Sequence, residues 1–149
     1  ERCHGGVVWF RNTTGITITK CDIYGCGLTG IDLERVKSVS VVDSIIRDCT
    51  IFALSLEESI DVRFDRCTFS GTEGHTLFYF RRIRGVVISD SEVVNNRSTH
   101  EIFSISSNAD KVNVLRSRFE NNAALRLSDK ESKIRFAESV FTGNKFDSK

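Results

Sequence analysis

His75 and His100 are the first residues to suggest chemistry. Each stands three residues before a Phe of a recurring apolar pair, Phe78 and Phe103, and Glu73 and Glu101 lie close by. Two imidazoles and two carboxylates at neighbouring loop mouths can work as acid and base, or hold a metal ion. The same residues on loops also serve simply as solvated surface. A second group is aromatic and charged. Trp9, Asp32, Ser55, Tyr79, Ser104 and Arg126 share one recurring position, and Arg11, Glu34, Glu57, Arg81, Ser106 and Ser128 follow two residues later. Rings stack on the apolar faces of sugars while charges bond hydroxyls, so a sugar chain is the ligand such a row suits. Read differently, Arg11 with Glu34 and Glu57 with Arg81 are opposite charges that pair with each other and keep a sheet soluble.

The five cysteines show no CxxC or finger spacing, so no metal centre is expected from them. Cys21 and Cys67 occupy a small position that reads as inward core filler. Cys26 and Cys49 share one position on adjacent repeats, which puts their Cα atoms about 5 Å apart and within disulfide reach. A thiol pair fits the same spacing. His4 has no counterpart in any other repeat. There is no Gly-rich phosphate loop, no serine-nucleophile motif and no basic-aromatic stripe, and hence no cofactor and no nucleic-acid partner is expected.

What positions these residues is a repeat. The pairs Ile16/Ile18, Val39/Val41, Val62/Phe64, Val86/Ile88, Val112/Val114 and Ile134/Phe136 recur at intervals of 22 to 26 residues, each pair with one residue between its members. That alternation is the period of a strand. Three residues after each pair comes a small residue (Cys21, Ser44, Cys67, Ser91, Ser117, Ser139), and two later an apolar one (Ile23, Ile46, Phe69, Val93, Phe119, Phe141). A turn follows at Cys26, Cys49, Thr72, Asn96, Asn122 and Asn144. A second apolar pair then closes each unit: Val8/Phe10, Ile31/Leu33, Leu54/Leu56, Phe78/Phe80, Phe103/Ile105 and Leu125/Leu127.

One such unit cannot bury its own apolar face, so units must stack into a continuous core. The expected fold is all-β: a parallel solenoid of about six coils, 22–26 residues per coil, with three short strands in each. Charge supports the register. The residue before each small one runs Lys20, Asp43, Arg66, Asp90, Arg116, Glu138, alternating in sign as stacked exposed side chains favour.

In these units, such as Ile16-Thr-Ile-Thr-Lys-Cys-Asp-Ile23 and Val112-Asn-Val-Leu-Arg-Ser-Arg-Phe119, and in the Asn96/Asn122/Asn144 row, the chain resembles the right-handed parallel β-helix repeat family. That group includes pectate-lyase-like enzymes, the nitrous-oxide-reductase accessory proteins and carbohydrate-associated repeat proteins. The resemblance implies right-handedness, a carbohydrate ligand, and a secreted or cell-surface setting. It does not bring a catalytic set: the enzymes cluster calcium-binding or catalytic Asp residues, whereas Asp32, Glu34 and Glu57 here share their face with Ser55, Arg11 and Arg81.

Composition sets the remaining bounds. At 149 residues, 40% hydrophobic, the chain is long enough for one cored domain, and its formal charge of +1 provides no long-range field for a polyanion. No apolar run approaches a membrane span. Residues 1–149 are expected to form a single β-helix domain, a segment of a longer protein, because neither end reads as a cap and open coil ends invite end-to-end packing. Phe146, among charges, is a candidate lid. The expected function is a non-catalytic scaffold or recognition module, with Trp9, Arg11, Asp32, Glu34, Glu57, Tyr79 and Arg81 as binding residues and a polysaccharide as ligand. The competing readings are a polysaccharide lyase, hydrolase or epimerase using Asp32, Glu34 and Glu57, and a platform for a protein partner.

Overall fold

The computed structural model describes residues 6–25 and 28–147. Its strands fall into parallel sheets that run the length of a solenoid, with each strand bonded to its equivalent one coil away. Sheet A holds Gly6–Arg11, Thr29–Glu34, Phe52–Glu57, Phe78–Arg81, Glu101–Ile105 and Arg126–Ser128. Sheet B begins with Thr14–Thr19 and ends with Ile134–Ala137, while sheet C begins with Asp22–Tyr24 and ends with Val140–Thr142; both have six strands. The last four coils add a fourth sheet, D, made of Glu73–Gly74, Arg97–Ser98, Ala123–Ala124 and Lys145–Phe146. It arises where the stretch between turn and sheet A lengthens.

Alternation decides what faces inward. Ile31, Leu33, Leu54, Leu56, Phe78 and Phe80 of sheet A are fully buried, while Asp32, Ser55 and Tyr79 between them reach the surface. The aromatic part of the core lies in the lower coils, where Phe78 meets Phe69 and Phe103 at centroid distances of 5.0 and 4.8 Å. Between sheets the chain turns through left-handed residues. Lys20, Asp43, Arg66, Asp90, Arg116 and Glu138 all have φ between 45° and 54°. The alternating charge row is therefore a row of corner residues, and Arg66 pairs with Asp43 at 2.7 Å and Arg116 with Asp90 at 2.7 Å.

Two polar ladders hold the corners. In one, Ser91 Oγ accepts the Cys67 N–H and donates to the Ser89 carbonyl; Ser117 and Ser139 repeat the arrangement. In the other, Asn96, Asn122 and Asn144 do the same for the turn before sheet D. Buried backbone N–H groups left over by the change of direction thereby find acceptors.

Three expectations need correction. Cys67 is buried as core filler, but Cys21 is exposed: it begins the small-residue ladder, so among the described residues it has a covering coil on one side only. In the last strand of sheet A only Leu127 of the expected pair Leu125/Leu127 packs against the core, and it is only partly buried. Phe103 pairs with Ser128, which is 4% exposed, and Leu125 turns outward at 39%. Ser128 stands 25 residues after Phe103, as Phe103 stands 25 after Phe78, so the stacking register overrode hydrophobicity. Finally, Phe146 is no folded-back lid; it pairs with Ala124 as the next strand of sheet D.

Candidate functional site

The outer row of sheet A is in the expected register through five strands. Trp9 pairs with Asp32, Asp32 with Ser55, and Ser55 and Ser104 flank Tyr79. Trp9 is 59% exposed and marks one end of the row; Tyr79, three strands on and about 14 Å away at strand spacing, marks the other. Tyr79 is braced by Phe52, whose ring stacks on it at 5.0 Å and 22°, and its hydroxyl accepts a hydrogen bond from Arg81 at 3.4 Å. Phe52 was not singled out in the sequence: two residues before Leu54 it has inward parity, but Ala53 and Leu54 are both buried, so alternation breaks there and Phe52 stays half-buried. Arg126 and Ser128 do not join the row, since the shifted register stacks Arg126 on Glu101 and leaves Asp129 to accept from Ser104 Oγ at 3.2 Å.

Charges beside this row are largely committed to one another. Glu34 is held between Arg11 at 3.1 Å and Arg35 at 2.6 Å. Glu57 is held by Arg82 at 3.2 Å, not by Arg81, although Arg81 is its backbone partner. The corner brings Arg82 to Glu57 and Glu58 together, and Arg81 leans on Tyr79 instead. Asp32 is the exception. Half-burial raises its pKa above the ordinary carboxylate value; a Ser55 hydrogen bond opposes the shift, and the negative charges of Glu34 and Glu57 add to it.

Around the corner from sheet A, His75 and His100 do meet. Their rings stack with centroids 3.7 Å apart and planes 20° from parallel, and the His100 N–H donates to the His75 carbonyl. Parallel rings present their nitrogen lone pairs side by side rather than converging, so one ion cannot lie in both ring planes. Among the described residues no group of three His, Cys, Asp or Glu is placed to hold a metal. The two glutamates part company. Glu73 is exposed on sheet D, whereas Glu101 is buried, accepting from Thr76 Oγ1 at 3.4 Å and meeting Arg126 at 3.5 Å. Alternation does not show this, because Glu101, Ile102 and Phe103 are all buried. A groove of about 420 Å³ opens beside His75, lined by Glu73, Gly74, Arg97, Ser98 and Thr99 among others.

Cys49 is buried with its thiol 3.6 Å from the Arg47 carbonyl; Cys26, its expected disulfide partner, lies outside the described residues, as does His4. No helix among the described residues is long and apolar enough to cross a membrane.

Stacked parallel sheets, corner ladders and an outward row along the axis define a β-solenoid. Residues 1–146 match the family described as the right handed beta helix region, and the chain belongs to that family. No curated protein matches the chain.

Proposed function

We propose that this chain is a non-catalytic β-helix module whose sheet A face recognises a carbohydrate chain lying along the solenoid axis. The observation that carries the reading is the rigid row from exposed Trp9 through Asp32 and Ser55 to the braced Tyr79. Two rings set on paired strands present apolar faces at little cost in side-chain entropy, and polar groups between them reach hydroxyls. Pairing of Glu34 and Glu57 with arginines favours recognition over turnover, because a guanidinium-bound carboxylate is a poor base.

The test is a binding screen against acidic and neutral polysaccharides, with Trp9→Ala/Tyr79→Ala as control. Binding that is lost in the double variant supports the reading. Absence of binding to every glycan overturns it and favours a scaffold or a protein-docking role.

A catalytic reading has one observation in its favour, the raised pKa of Asp32 beside two further carboxylates. It requires that a bound polysaccharide be cleaved or epimerised and that Asp32→Asn abolish this without unfolding the protein.

A further inference from the structure

The stack of strands that places His75 on His100 also places Thr76 on Glu101 and Glu101 on Arg126. Thr76 is buried, and its single hydroxyl faces two groups: Glu101 Oε1 at 3.4 Å and His75 Nδ1 at 3.4 Å. A carboxylate can only accept. Arg126 lies beside its other oxygen, and the Thr76 hydroxyl donates its hydrogen to Glu101. The Thr76 oxygen is then left to accept, and the group that donates to it is His75 Nδ1–H. One buried carboxylate thus fixes the tautomer of an exposed imidazole through one hydroxyl.

We infer that the Glu101–Thr76–His75 relay holds His75 with its proton on Nδ1 and presents an unprotonated Nε2 at the groove beside Arg97. His100 is not set in this way: its Nδ1 lies 3.1 Å from Thr99 Oγ1, an exposed hydroxyl that can donate or accept. Arg97 lines the same groove and makes no ion pair among the described residues. A lone pair at Nε2 takes a hydrogen bond from a ligand hydroxyl, and a guanidinium takes an anionic oxygen. The ligand class that satisfies both carries a hydroxyl and an anionic oxygen close together. Glu73, exposed at the edge of the groove, is the charged group that would repel such a ligand, so Arg97 has to outweigh it. This site is separate from the Trp9–Tyr79 row and stands whether or not that row binds sugar.

The wild-type protein decides the tautomer without any substitution. In long-range nitrogen–proton correlation spectra of the neutral imidazoles, His75 is expected to show a protonated Nδ1 and a bare Nε2, the reverse of the form a free imidazole prefers. Thr76→Val is expected to return His75 to that free form. A wild-type His75 carrying its proton on Nε2 overturns the relay, because Nδ1 would then have no proton to donate to Thr76. For the ligand class the probes are inorganic phosphate, which carries both a hydroxyl and anionic oxygens near neutral pH, and sulfate, which lacks the hydroxyl. Saturable movement of the His75 Nε2 signal with phosphate, weaker with sulfate and lost in Arg97→Ala, supports the assignment. Equal responses to the two anions, or none to phosphate, overturn it.

Discussion

Asn122 Oδ1 accepts two hydrogen bonds from Asn96, one from its backbone N–H at 3.1 Å and one from its side-chain amide at 2.9 Å, while Asn122 Nδ2 donates to the Val93 carbonyl at 2.7 Å. One buried amide therefore satisfies the turn of the coil before it and ties that coil to its own. Asn122→Ala strands the Asn96 N–H and the Val93 carbonyl away from water. The expected loss is roughly 3 kcal/mol, given the cost of leaving buried polar groups unpaired. Urea unfolding checks it, with outward-facing Asn113→Ala as a control expected to stay within about 0.5 kcal/mol of wild type.

Asp32 carries the opposite sign from the ion-paired aspartates. Its folded pKa lies above the ordinary 3.8, so burial favours the protonated carboxyl. Its contribution to stability is full below the unfolded value and is lost as pH rises through the folded one. Asp32→Asn should therefore be more stable than wild type at pH 7, and the gain should shrink as pH falls toward 3.8. Thermal melts across that range read the trend. Asp43 and Asp90, held below the usual carboxylate value by Arg66 and Arg116, should behave oppositely: their contribution is present above the unfolded value and lost on acidification through the folded one.

Gly30 sits in sheet A where a Cβ would lie 2.6 Å from Ile46 Cγ2 and 2.7 Å from the Ala53 carbonyl oxygen. The second of these is backbone and cannot rotate away. Gly30→Ala is expected to destabilise the fold by about 1–3 kcal/mol through overpacking. Gly15→Ala makes the comparison, since that position has open space but a φ of +77°, so any loss there comes from backbone strain alone.

Thiol reactivity should separate the cysteines. Cys21 is exposed and is expected to react in the native protein, whereas Cys67 is buried, and burial pushes its thiol pKa up. Labelling Cys67→Ser and Cys21→Ser variants with a chromogenic disulfide identifies the fast thiol. Rapid native labelling of Cys67 would contradict the closed core at that corner.

Most of the coil geometry was legible because it depends on parity and spacing. Val39/Val41 and Val62/Phe64 fall on each other as the alternation predicts. The outward row from Trp9 to Ser104 follows from the same rule, as does the meeting of His75 and His100. The errors came where one residue type argued against the spacing. Leu125 and Leu127 are the apolar residues in their stretch, yet Phe103 stacks on Ser128, 25 residues on, as Phe78 stacks on Phe103, so Ser128 takes the inward place. Side-chain reach was not legible at all. Nothing in the spacing says that Glu57 prefers Arg82 over Arg81, because that choice depends on the left-handed corner, where Arg82 has a φ of 49°.

In sheets A to D and at the corners, backbone bonds between coils run along the axis, each residue bonded to one about 23 positions away, such as Asp43 N–H to the Asp65 carbonyl. The solenoid is therefore built like a zip. A pull on its two ends is carried in series through every turn, but a terminal turn is held by a neighbour on one side only, so opening starts there and each turn that peels away exposes the next. Extension should proceed in repeated steps of one turn, each freeing roughly 80 Å of chain before the solenoid shortens by one rise.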